Sequence, residues 1–114
     1  MFMALRKILQ KHAASLVVVR DAPGDYHLDT RKKAPDGKPL FFGAVRTGRS
    51  DTSFHLTPVY TNPELLESVS AGLRARLQGK SVFNFKTKEP ALFEELAALT
   101  DKCVAHWKTT GMLG

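Results

Sequence analysis

The sequence contains a single cysteine, Cys103, among its 114 residues. An internal disulfide is therefore impossible, which fits a protein of the reducing cytoplasm. Cys103 falls on the apolar stripe of a predicted C-terminal helix. We therefore expect a buried, unreactive thiol at this position rather than a nucleophile.

Long apolar runs are also missing, because no stretch approaches the roughly 20 residues that span a bilayer. The first residues, MFMALRKILQKHAASL, lack the continuous apolar core of a secretory signal, since Arg6, Lys7, Gln10, Lys11 and His12 interrupt it. A mitochondrial presequence is the alternative for this basic stretch, but its helical apolar spacing favours the first helix of the fold. We expect a cytoplasmic protein that does not bind membranes.

Recognisable catalytic and metal-binding motifs do not occur in the sequence. The histidines are not spaced as HxH or HxxxH pairs, and GxGxxG and Walker patterns are absent. Without a nucleophile, base and orienting group in a recognisable pattern, the sequence favours a non-catalytic protein with no metal or cofactor. A hydrolase or isomerase that uses His55 is the enzymatic alternative.

What the sequence does contain is an ordinary globular composition, with 43% apolar and 25% charged residues. At this length we expect one domain over residues 1–114, able to bury roughly two-thirds of its unfolded surface. The net charge of +6 is uneven. Residues 1–57 hold ten Lys/Arg against five Asp/Glu, and residues 58–114 hold seven against six. A basic first half favours anionic partners, among them small anionic ligands, acidic proteins and nucleic acids.

Local patterns predict an α+β fold with elements in the order α-β-β-β-β-α-β-α. The predicted strands are 16–20, 26–31, 39–47, 51–60 and 80–86, and the predicted helices include 3–14 and 63–70. A last helix is predicted with Thr87 as its cap, Pro90 in its first turn and Gly111 as its stop. Residues 32–39 read as a basic loop. We expect one antiparallel sheet with the N- and C-terminal helices packed on one face. The residues expected in the core are Leu56, Phe54, Phe85, Leu96, Leu99 and Trp107.

The hairpin formed by 39–47 and 51–60 predicts which side chains face away from the helices. A two-residue turn at Gly48-Arg49, with a positive φ at Gly48, would pair Val45 with Thr52. Side-chain alternation then puts Phe41 in the core and Phe42 on the opposite face. Applied to all strands, it predicts a basic, partly aromatic face that binds a ligand. The candidate binding residues are His27, Arg31, Phe42, Arg46, His55, Lys80 and Asn84.

Two stretches resemble a known family. They are GKPLFFGAVRTGRSDTSFHLTPVY (37–60) and LQGKSVFNFKTKEPALFEELAALT (77–100), with an LxGK-S-x-F-x-F strand, a polar link containing Pro, and a helix with an acidic start. This layout resembles the YdhG-like domains of the YdhG/YjbR/CyaY superfamily. The resemblance implies a compact α+β sandwich in the cytoplasm of a bacterium, in a group composed mostly of domains of unknown function.

The same superfamily includes frataxin-like iron chaperones, which use acidic residues on the first helix. Here Arg6, Lys7 and Lys11 occupy that helix, and no acid occurs before Asp21. Iron binding of this kind needs carboxylate ligands, so the departure speaks against it.

Together, these patterns predict a binding or interaction domain for an anionic or aromatic ligand or an acidic partner. A frataxin-like iron chaperone is one alternative. The other is a weak, sequence-independent nucleic-acid binder that uses the same sheet face and the 31–38 loop, with an affinity that falls steeply as salt rises.

Overall fold

The computed structural model of the chain describes residues 1–33, 37 and 39–113. Within them, six strands form one antiparallel sheet in the spatial order β1-β2-β3-β4-β6-β5. The strands are β1 (Val17–Ala22), β2 (Asp25–Lys33), β3 (Pro39–Thr47), β4 (Thr52–Leu56), β5 (Leu77–Gln78) and β6 (Val82–Phe85).

The helices of the described residues are α1 (Phe2–Gln10), α2 (Thr57–Thr61), α3 (Ala71–Arg74) and α4 (Pro90–Thr109), with 3-10 turns at Ala13–Ser15 and Pro63–Leu66. The predicted α+β class is confirmed. Leu5 and Leu9 of α1 share a core with Leu96 and Trp107 of α4, so both terminal helices cover the same face of the sheet. We call the opposite, helix-free side the outer face. None of the helices in the described ranges is both long enough and apolar enough to cross a membrane.

The core contains the six residues of the strands and of the C-terminal helix that were named above as core residues. Each of the following is at most 2% exposed: Phe54, Leu56, Phe85, Leu96, Leu99 and Trp107. The β-strands contribute alternate side chains, as the buried positions of β4 show. The apolar stripe of α4 packs on them, and burial of this kind is the main favourable term in folding.

Close packing in the middle of the sheet depends on Gly43. A Cβ at this position would lie 2.7 Å from the carbonyl oxygen of His55 and 3.4 Å from Cδ2 of Leu9. Any larger residue would push β4 or α1 away from β3. Gly43 therefore sets how closely α1 approaches the sheet.

The β3–β4 hairpin has a longer loop than the sequence predicted. Thr47 pairs with Thr52, and the amide of Gly48 donates a 2.7 Å hydrogen bond to the carbonyl of Asp51. Gly48 does not have a positive φ, so the predicted two-residue turn is wrong. The true pairing differs from the predicted one by two residues, and a shift of two leaves each β4 side chain on its predicted face.

The predicted strand 51–60 is also too long, because it ends at Leu56 and α2 follows at once. Pro58 accounts for the change, since proline has no N–H to donate to a sheet but is well tolerated in the first turn of a helix. The short strand β5 was not predicted from the sequence. Its two residues carry too little pattern to be recognised.

The buried thiol of Cys103 gives the first test. Its side chain is fully buried, and burial raises the pKa of the thiol to about 12. The folded protein should therefore resist a disulfide reagent such as Ellman's reagent, and react stoichiometrically once unfolded in guanidinium chloride. The variant Ala98→Cys, at an exposed site of α4, should gain one rapidly reacting thiol. Rapid modification of the native wild type would contradict this packing.

Candidate functional site

An irregularity in β3 decides which of two adjacent phenylalanines reaches the outer face. Leu28 pairs with Gly43 but Asp29 pairs with Phe41, so Phe42 is an extra residue on its strand. Phe42 is fully buried and lies edge-on to Trp107, with ring centroids 5.7 Å apart. The prediction that Phe42 faces outward is therefore wrong. Phe41, predicted in the core, takes its place on the outer face.

Phe41 stands within a group of polar and aromatic side chains from β2, β3 and β4. Its ring centroid is 4.7 Å from that of His27 and 6.3 Å from that of His55. Ala44 pairs with His27 on one side and with His55 on the other, so its small side chain leaves room for the three rings. We call this group the outer-face cluster. It comprises His27, Asp29, Phe41, Arg46, Ser53 and His55.

A chain of hydrogen bonds fixes the orientation of His27. Nη2 of Arg46 lies 3.2 Å from Nδ1 of His27, and Nε2 of His27 lies 2.7 Å from Oδ1 of Asp29. An arginine N–H only donates, so Nδ1 accepts and the proton of the neutral imidazole is on Nε2. Nε of Arg46 also lies 3.6 Å from Oδ1 of Asp25. The guanidinium is therefore held in place by its neighbours.

These contacts make the outer face less basic than the sequence predicted. Asp25 lies beside Arg20, at 3.3 Å, as well as beside Arg46. Asp29 engages His27. Two carboxylates of β2 thus offset positive charge on the adjacent strands β1 and β3, an arrangement that depends on the pairing of these three strands.

The surroundings of His55 shift its pKa. Burial lowers its pKa below the ordinary value of histidine, and the nearby Arg46 and His27 lower it further. His55 is therefore neutral at pH 7. Its Nε2 lies 3.1 Å from Oγ of Ser53.

Ser53 and His55 resemble the nucleophile and the general base of a catalytic triad, because the serine hydroxyl lies within hydrogen-bond reach of the imidazole. Oγ of Ser53 also lies 3.3 Å from the carbonyl oxygen of Arg46, which can accept its only proton. A catalytic histidine needs a third group to orient it, but Asp29 is bonded to His27 instead. Within the part of the chain that the structure describes, the pair has no acid of its own.

Besides Phe42, three of the predicted binding residues do not belong to the cluster: Arg31, Lys80 and Asn84. Nζ of Lys80 lies 5.5 Å from the ring centroid of Tyr60 in α2. Nη2 of Arg31 donates a 2.7 Å hydrogen bond to the carbonyl of Ala14, and its side chain lines a small hollow with Lys108 near the end of α4. Both side chains thus contact groups outside the cluster, and their part in ligand binding stays a prediction. Strand alternation alone could not show where two long side chains would bend.

Asn84 lies at the border of the cluster. It pairs with Ser53 across β4 and β6, and with Lys86 it lines a polar hollow of about 290 Å³ at the end of the hairpin. On the far side of that hollow, Arg76 donates two hydrogen bonds of 2.7 and 2.6 Å to the carboxylate of Glu89. Asn84 thus connects the outer face with this hollow.

The basic segment predicted at 32–39 can be located only in part. Lys32 and Lys33 belong to strand β2 rather than to a loop. Residues 34–36 and 38 lie outside the described residues. Among those described, no three His, Cys, Asp or Glu side chains are grouped so that they could hold a metal ion.

Three members of the outer-face cluster were not among the binding residues predicted from the sequence: Asp29, Phe41 and Ser53. Of these, Phe41 was predicted on the wrong face of the sheet. Gly43 directly after Phe41-Phe42 was the available signal, because a glycine inside a strand often marks an irregularity. A prediction from side-chain alternation alone ignores that signal and therefore assigns each of the two phenylalanine rings to the wrong face of the sheet.

Adjacent substitutions test the irregularity. Phe42→Ala should lower the free energy of unfolding by about 3–5 kcal/mol, because it leaves a cavity against Trp107. Phe41→Ala should cost less than half as much, since its ring is only half-buried. Urea unfolding followed by circular dichroism measures both. Equal costs, or a larger cost for Phe41→Ala, would mean that the two rings are placed the wrong way round.

The lowered pKa of His55 gives a second test. Histidine has a pKa of about 6.5 when unfolded, so below that pH the unfolded chain takes up a proton that the folded chain resists. Stability should be fully present above this value and fall as the pH drops through it. NMR should show His55 titrating below the ordinary value. Arg46→Gln should move that midpoint upward, because it removes a nearby positive charge. A wild-type midpoint at or above 6.5 would refute the assignment.

Comparisons of this chain with protein-family models, with curated proteins and with solved structures found no match. Its function is therefore inferred from the geometry of the outer face.

Proposed function

We propose that the protein is a non-catalytic binding module whose outer face holds a planar ring that carries an anionic group. The observation that supports this best is the position of Phe41 between two imidazoles, with the guanidinium of Arg46 in contact with one of them. A flat ring stacks on the aromatic side chains, and its charged substituent reaches the guanidinium.

The aromatic part of the ligand is the more strongly supported. Phe41 is only half-buried although it lies in the middle of the sheet. His55 stays neutral, so its ring adds a stacking surface without adding charge. Stacking of a base on one aromatic side chain contributes about 1–3 kcal/mol and tolerates many kinds of ring. The cluster therefore suits a ring better than an aliphatic ligand.

The anionic part rests on Arg46. Its side chain is 47% exposed, and the recorded contacts with His27 and Asp25 use Nη2 and Nε. A guanidinium carries five N–H donors in a planar fork, so others are left for a carboxylate or phosphate. Asp25 and Asp29 repel further negative charge. This balance favours a small ligand with one anionic group over a nucleic acid or an acidic protein surface.

The geometry favours binding over catalysis because the acid of the cluster orients His27, which is not the histidine beside Ser53. Asp29 accepts from His27, while Ser53 faces His55. The YdhG-like resemblance remains a separate prediction, consistent with the α+β architecture. Frataxin-like iron binding and weak nucleic-acid binding become outcomes of the ligand tests.

Three related compounds test separately how the ring and the anionic group contribute to binding. Adenosine 5′-monophosphate has a ring and an anion, adenosine has the ring alone, and ribose 5-phosphate has the anion alone. We expect the monophosphate to bind most tightly and to shift the NMR signals of His27 and His55. Phe41→Ala should weaken both ring compounds by about 5- to 150-fold, the equivalent of one lost stack. Arg46→Gln should weaken the binding of both phosphate compounds and leave that of adenosine unchanged, so that the monophosphate binds no more tightly than adenosine.

Tyr60→Ala is the matched control, because it removes an exposed aromatic ring from α2. It should leave all three affinities unchanged. Failure of every compound to shift the cluster signals at millimolar concentration would refute the proposed function. Tighter binding of a short single-stranded oligonucleotide, lost as salt rises, would favour the nucleic-acid alternative. Stoichiometric binding of ferrous iron without oxygen would favour the iron chaperone.

A further inference from the structure

The exposed apolar surface of the protein is concentrated along one edge of the sheet. Six large apolar side chains are exposed among the described residues, and five of them belong to the start of α1 or to β1. Those five are Met1, Met3, Val17, Val18 and Val19. The three valines are 42%, 45% and 54% exposed. We call this surface the valine edge.

β1 is the terminal strand of the sheet. It pairs with β2 on one side, and it is exposed along its whole length. Edge strands present free backbone N–H and C=O groups, and proteins usually protect them with charges, prolines or bulges. β1 has a bulge between Val18 and Arg20. The bulge therefore falls at Val19, within a run of three valines that has no charge or proline.

Two arginines beside the valine edge, Arg6 and Arg20, are paired with carboxylates within the chain. Arg6 of α1 donates two hydrogen bonds, of 3.1 and 2.7 Å, to the carboxylate of Asp21. Arg20 lies 3.3 Å from Asp25. Two cations and two carboxylates thus offset one another here, although the chain as a whole carries +6. An acidic partner would find no unpaired cation in this group, whereas a neutral apolar partner would fit.

We propose that β1 pairs antiparallel with β1 of a second copy of this chain. A twofold axis at Val18 would place Val17 of each copy opposite Val19 of the other, so that identical apolar side chains meet across the interface. The valine edge would then contact the same surface of the second copy. Such a contact between identical surfaces is typical of a symmetric homodimer. Pairing of the two β1 strands would also provide hydrogen-bond partners for the free backbone groups of the edge.

Side chains of α1 extend the same interface beyond the strand. Phe2 and Met3 line a shallow apolar hollow together with Ala22 and Pro23, next to β1. The bulge shortens the stretch of β1 that can form a regular ladder. The contacts of Met3 and the valines therefore carry much of the association, which we expect to be of micromolar strength or weaker.

Pairing of this kind would join two six-stranded sheets into one. A twofold axis perpendicular to an antiparallel ladder keeps the same face of both sheets on one side. The two outer faces, each with its own Phe41, would therefore face the same direction. The dimer does not depend on ligand binding at those faces, so Phe41→Ala should leave it intact.

Analytical ultracentrifugation at concentrations up to about 1 mM tests the dimer directly. The wild-type chain should sediment as a concentration-dependent dimer. Val18→Lys should be monomeric, because it places two like charges at the twofold axis. Its circular dichroism and thermal unfolding should stay close to wild type, since Val18 is exposed in the single chain. Tyr60→Lys, at the sixth exposed apolar site, is the matched control and should still dimerise.

Hydrogen exchange provides a second measurement that does not depend on a variant. Amides of β1 should become more protected as the protein concentration rises, while those of β4 should not change. A wild-type chain that stays monomeric over the whole range would overturn the proposal. So would a dimer that survives Val18→Lys, or one that dissociates equally in Tyr60→Lys.

Discussion

The structure depends on one irregularity in β3, which reverses the faces of the sheet that two adjacent phenylalanines would occupy in a regular strand. Phe42 goes into the core against Trp107, and Phe41 goes out among the histidines. A regular strand would place Phe41 on the same side as Gly43, where Leu9 of α1 packs against the sheet. The extra residue removes that conflict. It also supplies the ring on which the proposed ligand site is built, so core packing and surface chemistry have the same origin.

Electrostatics on the outer face follow from strand pairing. Antiparallel neighbours bring Asp25 beside Arg46, and the side chain of Asp29 comes within hydrogen-bond reach of His27. The result is a surface with little net charge but with oriented donors, which is better suited to a small polar ring than to a polyanion. Burial keeps His55 neutral in the same place. Its imidazole therefore adds to the apolar part of the surface rather than to its charge.

The valine edge and the outer face are surfaces of the same sheet with different chemical character. The outer face is polar and aromatic, and its members hold one another in position through hydrogen bonds. β1, in contrast, presents apolar side chains beside paired charges and leaves backbone groups free. Joining two copies through β1 would satisfy those groups and leave both outer faces accessible. Ligand binding and self-association can thus coexist on one small protein.

The sequence by itself determined the α+β class, the terminal helices and most of the core, because apolar periodicity is a local property. Residues such as Leu96 and Phe54 could be assigned from spacing alone, and strand alternation placed His27 and His55 correctly outward. It did not determine the length of the β3–β4 loop, the irregularity at Phe42, or the contacts of Arg31 and Lys80. These depend on how closely α1 approaches Gly43 and on which carbonyl or ring a long side chain can reach. Such distances exist only after the sheet and helices have packed, so only the tertiary structure could decide them.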